Sequence, residues 1–336
     1  MKERLLFSVF ILSFLTLDFG KAQNIQFEDA HFKAKLLHGA KAKDTNGNPI
    51  AIDANGDGEI SQAEALNVYQ LNIGGEQDIK SLKGIEYFTN LTVLNCYNFY
   101  SLKSLNISKN IKLQELDLSN TEIETLDLSK NINLQTLSLE GDPGLKTLDI
   151  SKNIKLQNLW LSGTRIKTLD ISKNVNLQKL DLHSPKIKTL DVSKNIKLEF
   201  LGLVNIGIKA LDLSKNINLQ ELYMEDNDTI QTLDVSGNTN LTNLNFRWCT
   251  GLSSLYMKNG VKKAFSINYS PHSQNYDFIG TNLSLICCNE DEIDEVKDYM
   301  QNLADHNLLA DGWQMSNLTV TSDCGITDIK ESLKKK

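Results

Sequence analysis

Residues 113–133 read LQELDLSNTEIETLDLSKNIN, and close variants of this stretch follow one another along most of the chain. The tripeptide Ser-Lys-Asn returns every 21 or 22 residues, and a related Ser-Gly-Asn begins at Ser236. The Ser-Lys-Asn copies begin at Ser108, Ser129, Ser151, Ser172, Ser193 and Ser214. A constant period of this length is typical of repeat architectures, in which each unit is one supersecondary element stacked between its neighbours.

Each unit forms a coil if its apolar residues point inward from two short extended arms, because side chains alternate along extended chain. In the first unit these residues are Leu113, Leu116, Leu118, Ile123, Leu126 and Leu128. One coil cannot bury these side chains alone, so neighbouring coils must stack into a continuous apolar column. The period and pattern match the leucine-rich repeat. We predict a right-handed solenoid with short parallel β-strands, about eight repeats over residues 79–260, and small helical caps at both ends.

One arm of the coil, Leu-Asp-Leu-Ser-Lys-Asn, hardly changes from repeat to repeat, and we call it the SKN arm. Its stacked aspartates are Asp127, Asp149, Asp170, Asp191, Asp212 and Asp234. Its stacked asparagines are Asn110, Asn131, Asn153, Asn174, Asn195, Asn216 and Asn238. We expect the asparagines to form a hydrogen-bond ladder that satisfies the backbone of the turn. The aspartates should form a solvated charge ladder, which a lysine three residues later offsets.

The other arm, Leu-Gln-x-Leu-x-Leu, is the LQ arm, and we take it to line the concave face because it fits the longer repeat consensus. Its outward residues vary as Asn95, Asp117, Ser138, Trp160, Asp181, Gly202, Tyr223 and Asn245, and His183, Glu225, Asp226, Arg247 and Trp248 follow the strands. Aromatic residues and arginine most often anchor interfaces. The alternative is neutral drift on an unused surface. We predict a partner-binding face that includes Asp117, Trp160, Asp181, His183, Tyr223, Arg247 and Trp248.

Residues 53–64, DANGDGEISQAE, fit the twelve-residue calcium loop of the EF-hand. Ca²⁺ takes oxygen ligands, and Gly58 permits the sharp turn that brings them around the ion. The predicted ligands are Asp53, Asn55, Asp57, the Glu59 carbonyl, Ser61 and both carboxylate oxygens of Glu64. The alternative is an Asp/Gly-rich turn without an ion. Because calcium sensors pair their loops and this loop is single, we expect a structural Ca²⁺ that clamps a helical N-terminal cap over residues 23–78.

Residues 1–22 have the organisation of a secretory signal peptide. Lys2 and Arg4 precede an apolar run at residues 5–17, and Gly20 and Ala22 are small residues at the cleavage site. The run is too short to cross a bilayer, so we predict a secreted or cell-envelope protein without a transmembrane segment. The net charge is −7, and the one basic cluster along the sequence is residues 334–336. Nucleic acid and anionic membranes are therefore not expected as partners.

Five cysteines lie at Cys96, Cys249, Cys287, Cys288 and Cys324, without the spacing or histidines of a zinc site. Cys96 and Cys249 fall at inward-facing positions of the repeat. In an oxidising compartment we expect one disulfide, from either Cys287 or Cys288 to Cys324.

The last part of the chain, residues 261–336, departs from the repeat. We read its beginning as a divergent last coil. In residues 290–304, apolar side chains follow at helical spacing and acidic residues occupy the first turn, where the helix dipole favours them. This segment is expected to form a helical cap over the C-terminal end of the column.

Several segments resemble the secreted leucine-rich-repeat proteins of Bacteroidetes, especially those of flavobacteria. The matching segments are FKAKLL at residues 32–37, the loop and helix start at 55–65, IEYFTNLTVLNC at 85–96 and ICCNEDEI at 286–293. The resemblance covers most of the chain after the leader. It implies an exported protein that acts in interaction or adhesion.

The sequence favours a binding protein over an enzyme. Five histidines are scattered without a serine or cysteine partner in a recognisable motif. His183 lies two residues after Asp181, but a position on a binding surface explains this pair as well as a catalytic role does. The expected ligand is another protein or a cell-surface polymer. The alternatives are a glycan-binding module of the envelope and a purely structural envelope protein.

Overall fold

The computed structural model describes residues 23–75, 78–183, 187–262 and 276–325. The predicted leader at residues 1–22, residues 263–275 of the predicted divergent coil and the basic cluster at 334–336 lie outside the described residues. Among the described residues, no helix combines the length and apolar character that crossing a membrane requires.

The N-terminal segment contains two helices and three strands. Helix α1 (Ala30–His38) is followed by strands β1 (Lys41–Lys43) and β2 (Pro49–Ile50), helix α2 (Gln62–Ala65) and strand β3 (Gln70–Asn72). Both helices lie within the predicted helical cap, but the segment is less helical than expected. Residues 41–50 form a hairpin whose strand β1 also pairs antiparallel with β3. The N-terminal segment therefore extends the sheet of the repeats.

Each repeat contributes one three-residue strand from its LQ arm. These strands are β4 (Val93–Asn95), β5 (Glu115–Asp117), β6 (Thr136–Ser138), β7 (Asn158–Trp160), β8 (Lys179–Asp181), β9 (Phe200–Gly202), β10 (Glu221–Tyr223) and β12 (Asn243–Asn245). They pair in parallel and in register, and with β1, β2, β3 and β14 (Tyr276–Asp277) they form a twelve-stranded main sheet in the order β14-β12-β10-β9-β8-β7-β6-β5-β4-β3-β1-β2.

The SKN arm forms strands only towards the C-terminal end. Strands β11 (Thr232–Asp234), β13 (Ser254–Tyr256), β15 (Leu285–Cys287) and β16 (Thr319–Thr321) make a second parallel sheet. Single turns of 3-10 helix lie at Ile85–Tyr87, Glu290–Glu292 and Met315–Asn317. The predicted leucine-rich-repeat solenoid is confirmed as a parallel-strand coil of about eight turns with few helices.

The interior is a continuous apolar column. The middle residue of each LQ-arm strand is fully buried, from Leu94 and Leu116 through Leu159 to Leu244. Adjacent coils lie about 4.8 Å apart in the hydrogen-bonding direction, so each leucine packs on its equivalents above and below. The coils therefore stabilise one another rather than themselves.

The predicted asparagine ladder is confirmed along the SKN arm. The Nδ2 of Asn131 donates to the Ile107 carbonyl at 3.1 Å and to the Asn110 carbonyl at 3.0 Å, both in the preceding coil. Asn174 repeats this pattern two coils later. The side chains are fully buried or nearly so. Each asparagine thus adds a hydrogen bond from the next coil to two carbonyl groups that already accept a backbone N–H within their own turn.

The aspartate column is held by a local turn more than by charge pairing. The Oδ1 of Asp127 accepts from the Ser129 N–H at 2.8 Å, and the Asp149–Ser151 pair has the same geometry. These hydrogen bonds lower the pKa of both exposed carboxyl groups, and the nearby lysine contributes less. The lysine that the sequence analysis emphasised is therefore not required to keep the aspartates in place.

The C-terminal segment closes the coil with a helix and a disulfide. Helix α3 (Ile293–Asp305) buries Val296, Tyr299, Met300 and Leu303, as the helical spacing predicts. A disulfide joins Cys287 to Cys324 with a Cα–Cα distance of 5.5 Å, while Cys288 is a buried free thiol. The bond ties the end of β16 to its neighbour β15. Cys96 and Cys249 are buried free thiols within the repeats.

The asparagine ladder predicts a specific loss of stability on substitution. Asn174→Ala removes two buried hydrogen bonds to the preceding coil, so we expect the free energy of unfolding to fall by about 1–3 kcal/mol. Asn218→Ala is the matched control, because its exposed side chain makes one hydrogen bond, to the Ile196 carbonyl. It should change stability by less than about 0.5 kcal/mol. Urea unfolding followed by circular dichroism measures both, and equal effects would contradict the ladder's structural role.

Candidate functional site

The variable residues of the LQ arm form a row across the main sheet, and we call this surface the main-sheet face. Strand register places Ser138 beside Trp160, Trp160 beside Asp181, and Tyr223 beside Asn245. These side chains are half-buried between their neighbours, except Asn245, which is buried. The predicted site residues Asp117, Trp160, Asp181 and Tyr223 therefore share one surface.

Tyr223 is fixed by its neighbours on the main-sheet face. Its hydroxyl donates to Glu221 Oε2 at 3.1 Å and accepts from Asn243 Nδ2 at 2.7 Å. Its ring lies 5.5 Å from the ring of Phe200, centroid to centroid. Burial, followed by the negative charge of Glu221, raises the pKa of Tyr223 to about 12. The phenol is therefore a neutral, oriented aromatic group.

Arg247 lies at the C-terminal side of the face in a compact polar cluster. Its Nε bonds Asp277 Oδ2 at 2.6 Å, and Asp277 is almost completely buried. Asn245 Nδ2 donates to Glu225 Oε1 at 2.7 Å. Burial raises the pKa of Glu225, while Arg247 acts in the opposite direction. The cluster holds the guanidinium in place rather than leaving it loose in solvent.

Trp248 has an unusual backbone conformation beside this cluster. Its φ is +60°, in the left-handed region that favours glycine and asparagine. Equivalent turn positions in other coils hold Asn98, Asn120, Gly141, Gly163, Asn205, Asp226 and Gly280. The tryptophan is 53% exposed, and its ring covers Gly280, where a Cβ would collide with it. A strained backbone combined with an exposed aromatic ring is more typical of a functional position than of a structural one.

The centre of the face is acidic. Burial, together with Asp181 and Asp117, raises the pKa of Glu140. Burial also raises the pKa of Asp181, which His183 opposes by charge. His183 is exposed on the same surface. Glu140 was missed by the sequence analysis, although it occupies the position of His183 and Glu225 in its own coil.

In the predicted calcium loop, Gly58 has φ +79°, in the left-handed region that glycine adopts readily. Asp53 accepts from the N–H groups of Gly56, Asp57 and Gly58. Glu64 Oε1 accepts from the Ala54 and Asn55 N–H groups, and its Oε2 accepts from the N–H and hydroxyl of Ser61.

The side chain of Glu59 points away from the loop to Lys33, with Nζ and Oε1 2.6 Å apart. Through the part of the chain that the structure describes, no three His, Cys, Asp or Glu side chains converge as metal ligands. The side chains of Asp53, Asp57 and Glu64 instead accept hydrogen bonds from the backbone of the loop itself.

Comparisons with known proteins agree with the repeat architecture. A family model described as the leucine-rich-repeat domain of the endo-β-N-acetylglucosaminidase EndoS matches residues 62–174. No curated protein matches the chain.

Several solved structures are similar at low identity. An internalin C2 of Listeria monocytogenes is 21% identical over 67% of this chain and 84% of its own, with a TM-score of 0.42. An internalin inlF of the same species is 16% identical over 86% of each chain, with a TM-score of 0.42. A leucine-rich-repeat protein of Leptospira interrogans is 17% identical over 82% of this chain and 83% of its own, with a TM-score of 0.44.

The repeat period and the stacked parallel coils define a solenoid of the leucine-rich-repeat type, and residues 62–174 match a leucine-rich-repeat domain model. Its main-sheet face combines oriented aromatic, acidic and basic groups on a fixed scaffold. Such a surface is suited to binding.

A buried carboxyl group beneath the face makes stability depend on pH. Asp142 Oδ1 accepts from the N–H and hydroxyl of Thr121 at 2.6 and 2.8 Å, and its Oδ2 has no hydrogen-bond partner among the described residues. Burial raises the pKa of Asp142 from 3.8 to about 7, although the Thr121 bonds lower it. Its folded pKa exceeds the unfolded value, so the stability it contributes is complete below about pH 3.8 and is lost as the pH rises through about 7.

Asp142→Asn should therefore remove a pH-dependent penalty. Asn227 occupies the equivalent position of a later coil and is fully satisfied there. We expect the variant to be more stable than the parent at about pH 8, by at least on the order of 2 kcal/mol, with the difference shrinking as the pH falls and vanishing below about pH 4. Urea unfolding across this range measures the difference, and parallel pH profiles for the two proteins would contradict the assignment.

Proposed function

We propose that this chain is an exported, non-enzymatic binding protein whose main-sheet face contacts another protein. The observation that carries this proposal is Trp248, an exposed aromatic ring at a left-handed backbone position that seven other coils fill with Asn, Asp or Gly. The leader-like residues 1–22 support export. The leucine-rich-repeat fold supports a role in protein interaction.

The geometry of the face favours a protein ligand. Ten parallel strands at about 4.8 Å spacing make a surface roughly 45 Å long, which is enough for the ~800 Å² that a stable partner covers. Trp160, Tyr223 and Arg247 are types that anchor protein interfaces, and Tyr223 and Arg247 are already oriented by neighbours. Binding then orders few side chains, which reduces its entropic cost.

A glycan is the second candidate, because sugars stack on exposed rings that have carboxylates and amides beside them. Trp248, with Glu225 and Asn245 in the adjacent cluster, offers such a combination. A purely structural role is the third reading, and it predicts no ligand at this surface.

Site-specific photocrosslinking separates these readings. A photoreactive phenylalanine at Trp248 is incubated with a cell-surface protein fraction, and the same group at Glu124 on the opposite arm is the matched control. We expect a discrete, protease-sensitive adduct from position 248 alone. A protease-resistant adduct together with retention on polysaccharide arrays would favour the glycan reading. Identical adducts from both positions, or none, would contradict a binding role for this face.

We also propose that the loop at residues 53–64 binds Ca²⁺ as a structural ion. Its donor set is chemically suitable: carboxylates of Asp53, Asp57 and Glu64, the Asn55 amide, the Glu59 carbonyl and the Ser61 hydroxyl are hard oxygen ligands. Ser61 begins α2, and Glu64 completes its capping box. Glu64 would have to exchange its bonds to Ser61 for the ion. Calcium and the capping box therefore compete for one carboxylate.

Calorimetric titration of residues 23–336 with CaCl₂ tests this second proposal. Ca²⁺ at 100 times its Kd should stabilise the parent by about 2.7 kcal/mol, and Glu64→Gln should abolish both the heat of binding and the stabilisation. Asp44→Asn is the matched control in the neighbouring turn, where Asp44 bonds the Asn46 and Asn48 N–H groups. The absence of heat and of any calcium-dependent shift in the parent would refute calcium binding.

A further inference from the structure

The SKN arm carries a row of exposed apolar side chains that the binding function of the main-sheet face does not use. Each residue directly follows a ladder asparagine and is between 44% and 56% exposed. The row consists of Ile111, Ile132, Ile154, Val175, Ile196 and Ile217. Successive members lie in neighbouring coils, about 4.8 Å apart. Six consecutive coils therefore present a continuous apolar ridge to solvent.

Lysines accompany this ridge through four of these coils. In residues 146–155, 167–176, 188–197 and 209–218 there are ten lysines and four aspartates, and no glutamate or arginine. The lysines are Lys146, Lys152, Lys155, Lys167, Lys173, Lys188, Lys194, Lys197, Lys209 and Lys215, and all are exposed. This surface, which we call the lysine–isoleucine face, has a formal charge of +6 in a chain whose net charge is −7.

Along the sequence the one basic cluster is residues 334–336, but the folded chain has a second one, and the prediction of a single cluster was wrong. Lysines of the SKN arm are separated by a full repeat along the sequence, so no short window contains many of them. Stacking of the coils brings them together. The expectation that the chain does not bind anionic partners rested on the absence of clustered lysines, and the folded chain has such a cluster.

The positive charge of this face is available to a partner. Among the described residues, none of its lysines lies within 4.0 Å of a carboxylate oxygen. Lys155 and Lys197 donate to Asn133 and Asn176 in the preceding coils, at 2.8 Å each. These neutral contacts orient the side chains without neutralising them.

Apolar surface is also accessible between the lysine rows. A shallow depression on this arm is lined by apolar side chains, among them Leu169, Leu190 and Ala210, and by the polar side chains of Asp170, Ser172, Thr189 and Asp191. Lys167 and Lys188 precede two of these leucines by two residues. Cationic and apolar groups are thus interleaved, as they are in proteins that lie on a lipid surface.

We propose that the lysine–isoleucine face docks on an anionic lipid surface. The isoleucine ridge would enter the boundary between headgroups and acyl chains. The ammonium groups of the flanking lysines would contact lipid phosphates, which their long aliphatic side chains allow them to reach. A polyanion without an apolar part would leave the ridge exposed, so the ridge favours an amphiphile. Because the main-sheet face belongs to the other arm, it would remain open to its own ligand.

Sedimentation with vesicles tests the proposal on the chain spanning residues 23–336. The probes are vesicles of phosphatidylcholine alone and of phosphatidylcholine mixed with phosphatidylglycerol, at low and high salt. We expect binding to the anionic vesicles alone, weakened by salt because the lysine contribution is screened. No sedimentation with anionic vesicles at low salt would overturn the proposal.

Two sets of variants distinguish a lipid surface from other occupants. The triple variant Ile132→Thr, Ile154→Thr and Ile196→Thr should weaken vesicle binding at least about tenfold. A later coil already has a threonine, Thr239, directly after its ladder asparagine, so the fold accepts this residue there. Trp160→Ala on the main-sheet face is the control and should bind vesicles like the parent. Unchanged vesicle binding by the triple variant, with equal binding to dextran sulfate, would overturn the lipid assignment in favour of a plain polyanion.

A second copy of the chain is the other candidate partner for the lysine–isoleucine face, because the acidic main-sheet face of one copy could bind the basic face of another. Sedimentation velocity of the parent and the triple variant decides this point. We expect both to have the same mass. A parent that self-associates while the triple variant does not would overturn the proposal in favour of a face between copies.

Discussion

No coil of this molecule can bury its own leucines, and this constraint shapes every other feature of the structure. A three-residue strand and two turns enclose one layer of apolar side chains, which is covered only when the next layer lies directly on it. The asparagine ladder obeys the same rule, because each Nδ2 donates to carbonyl groups of the preceding coil. The packing of the leucines and the hydrogen bonds of the asparagines therefore repeat with the same period, once per coil.

This arrangement separates what must be constant from what can vary. The buried leucines and the ladder asparagines allow little change, whereas outward residues of the LQ arm touch only their neighbours on the sheet. Differences in Trp160, Asp181 and Tyr223 between coils thus cost little stability. The same stacking converts any residue that each repeat conserves on its surface into a row, which explains how isolated lysines and isoleucines of the SKN arm become a large basic and apolar face.

The sequence predicted the parts of the structure that depend on periodicity. The main sheet, the apolar column, the asparagine ladder and helix α3 all follow from the spacing of residue types. It did not predict the hairpin at residues 41–50, because two or three residues of extended chain carry no periodic signal. The aspartate column was predicted correctly as exposed, but its hydrogen bonds to Ser129 and its equivalents depend on local turn geometry.

The candidate site was predicted in outline. Trp160, Asp181 and Tyr223 were found because they break a repeating pattern. Glu140 was missed, because finding it requires a comparison of turn positions between coils. The pairing of Arg247 with Asp277 was also missed, because it joins residues 30 apart across a segment that departs from the repeat. The strained backbone of Trp248 becomes visible only with coordinates.

Removal of one whole coil tests the account most directly. Deleting residues 156–176 joins Lys155 to Leu177 and recreates the natural Lys-Leu junction, so the remaining coils can stack as before. We predict a folded protein with cooperative urea unfolding and the circular dichroism of the parent, whereas deleting only residues 156–166 leaves half a coil and should prevent folding. Loss of folded structure on deletion of the whole coil, or tolerance of both deletions, would contradict a scaffold built from interchangeable stacked layers.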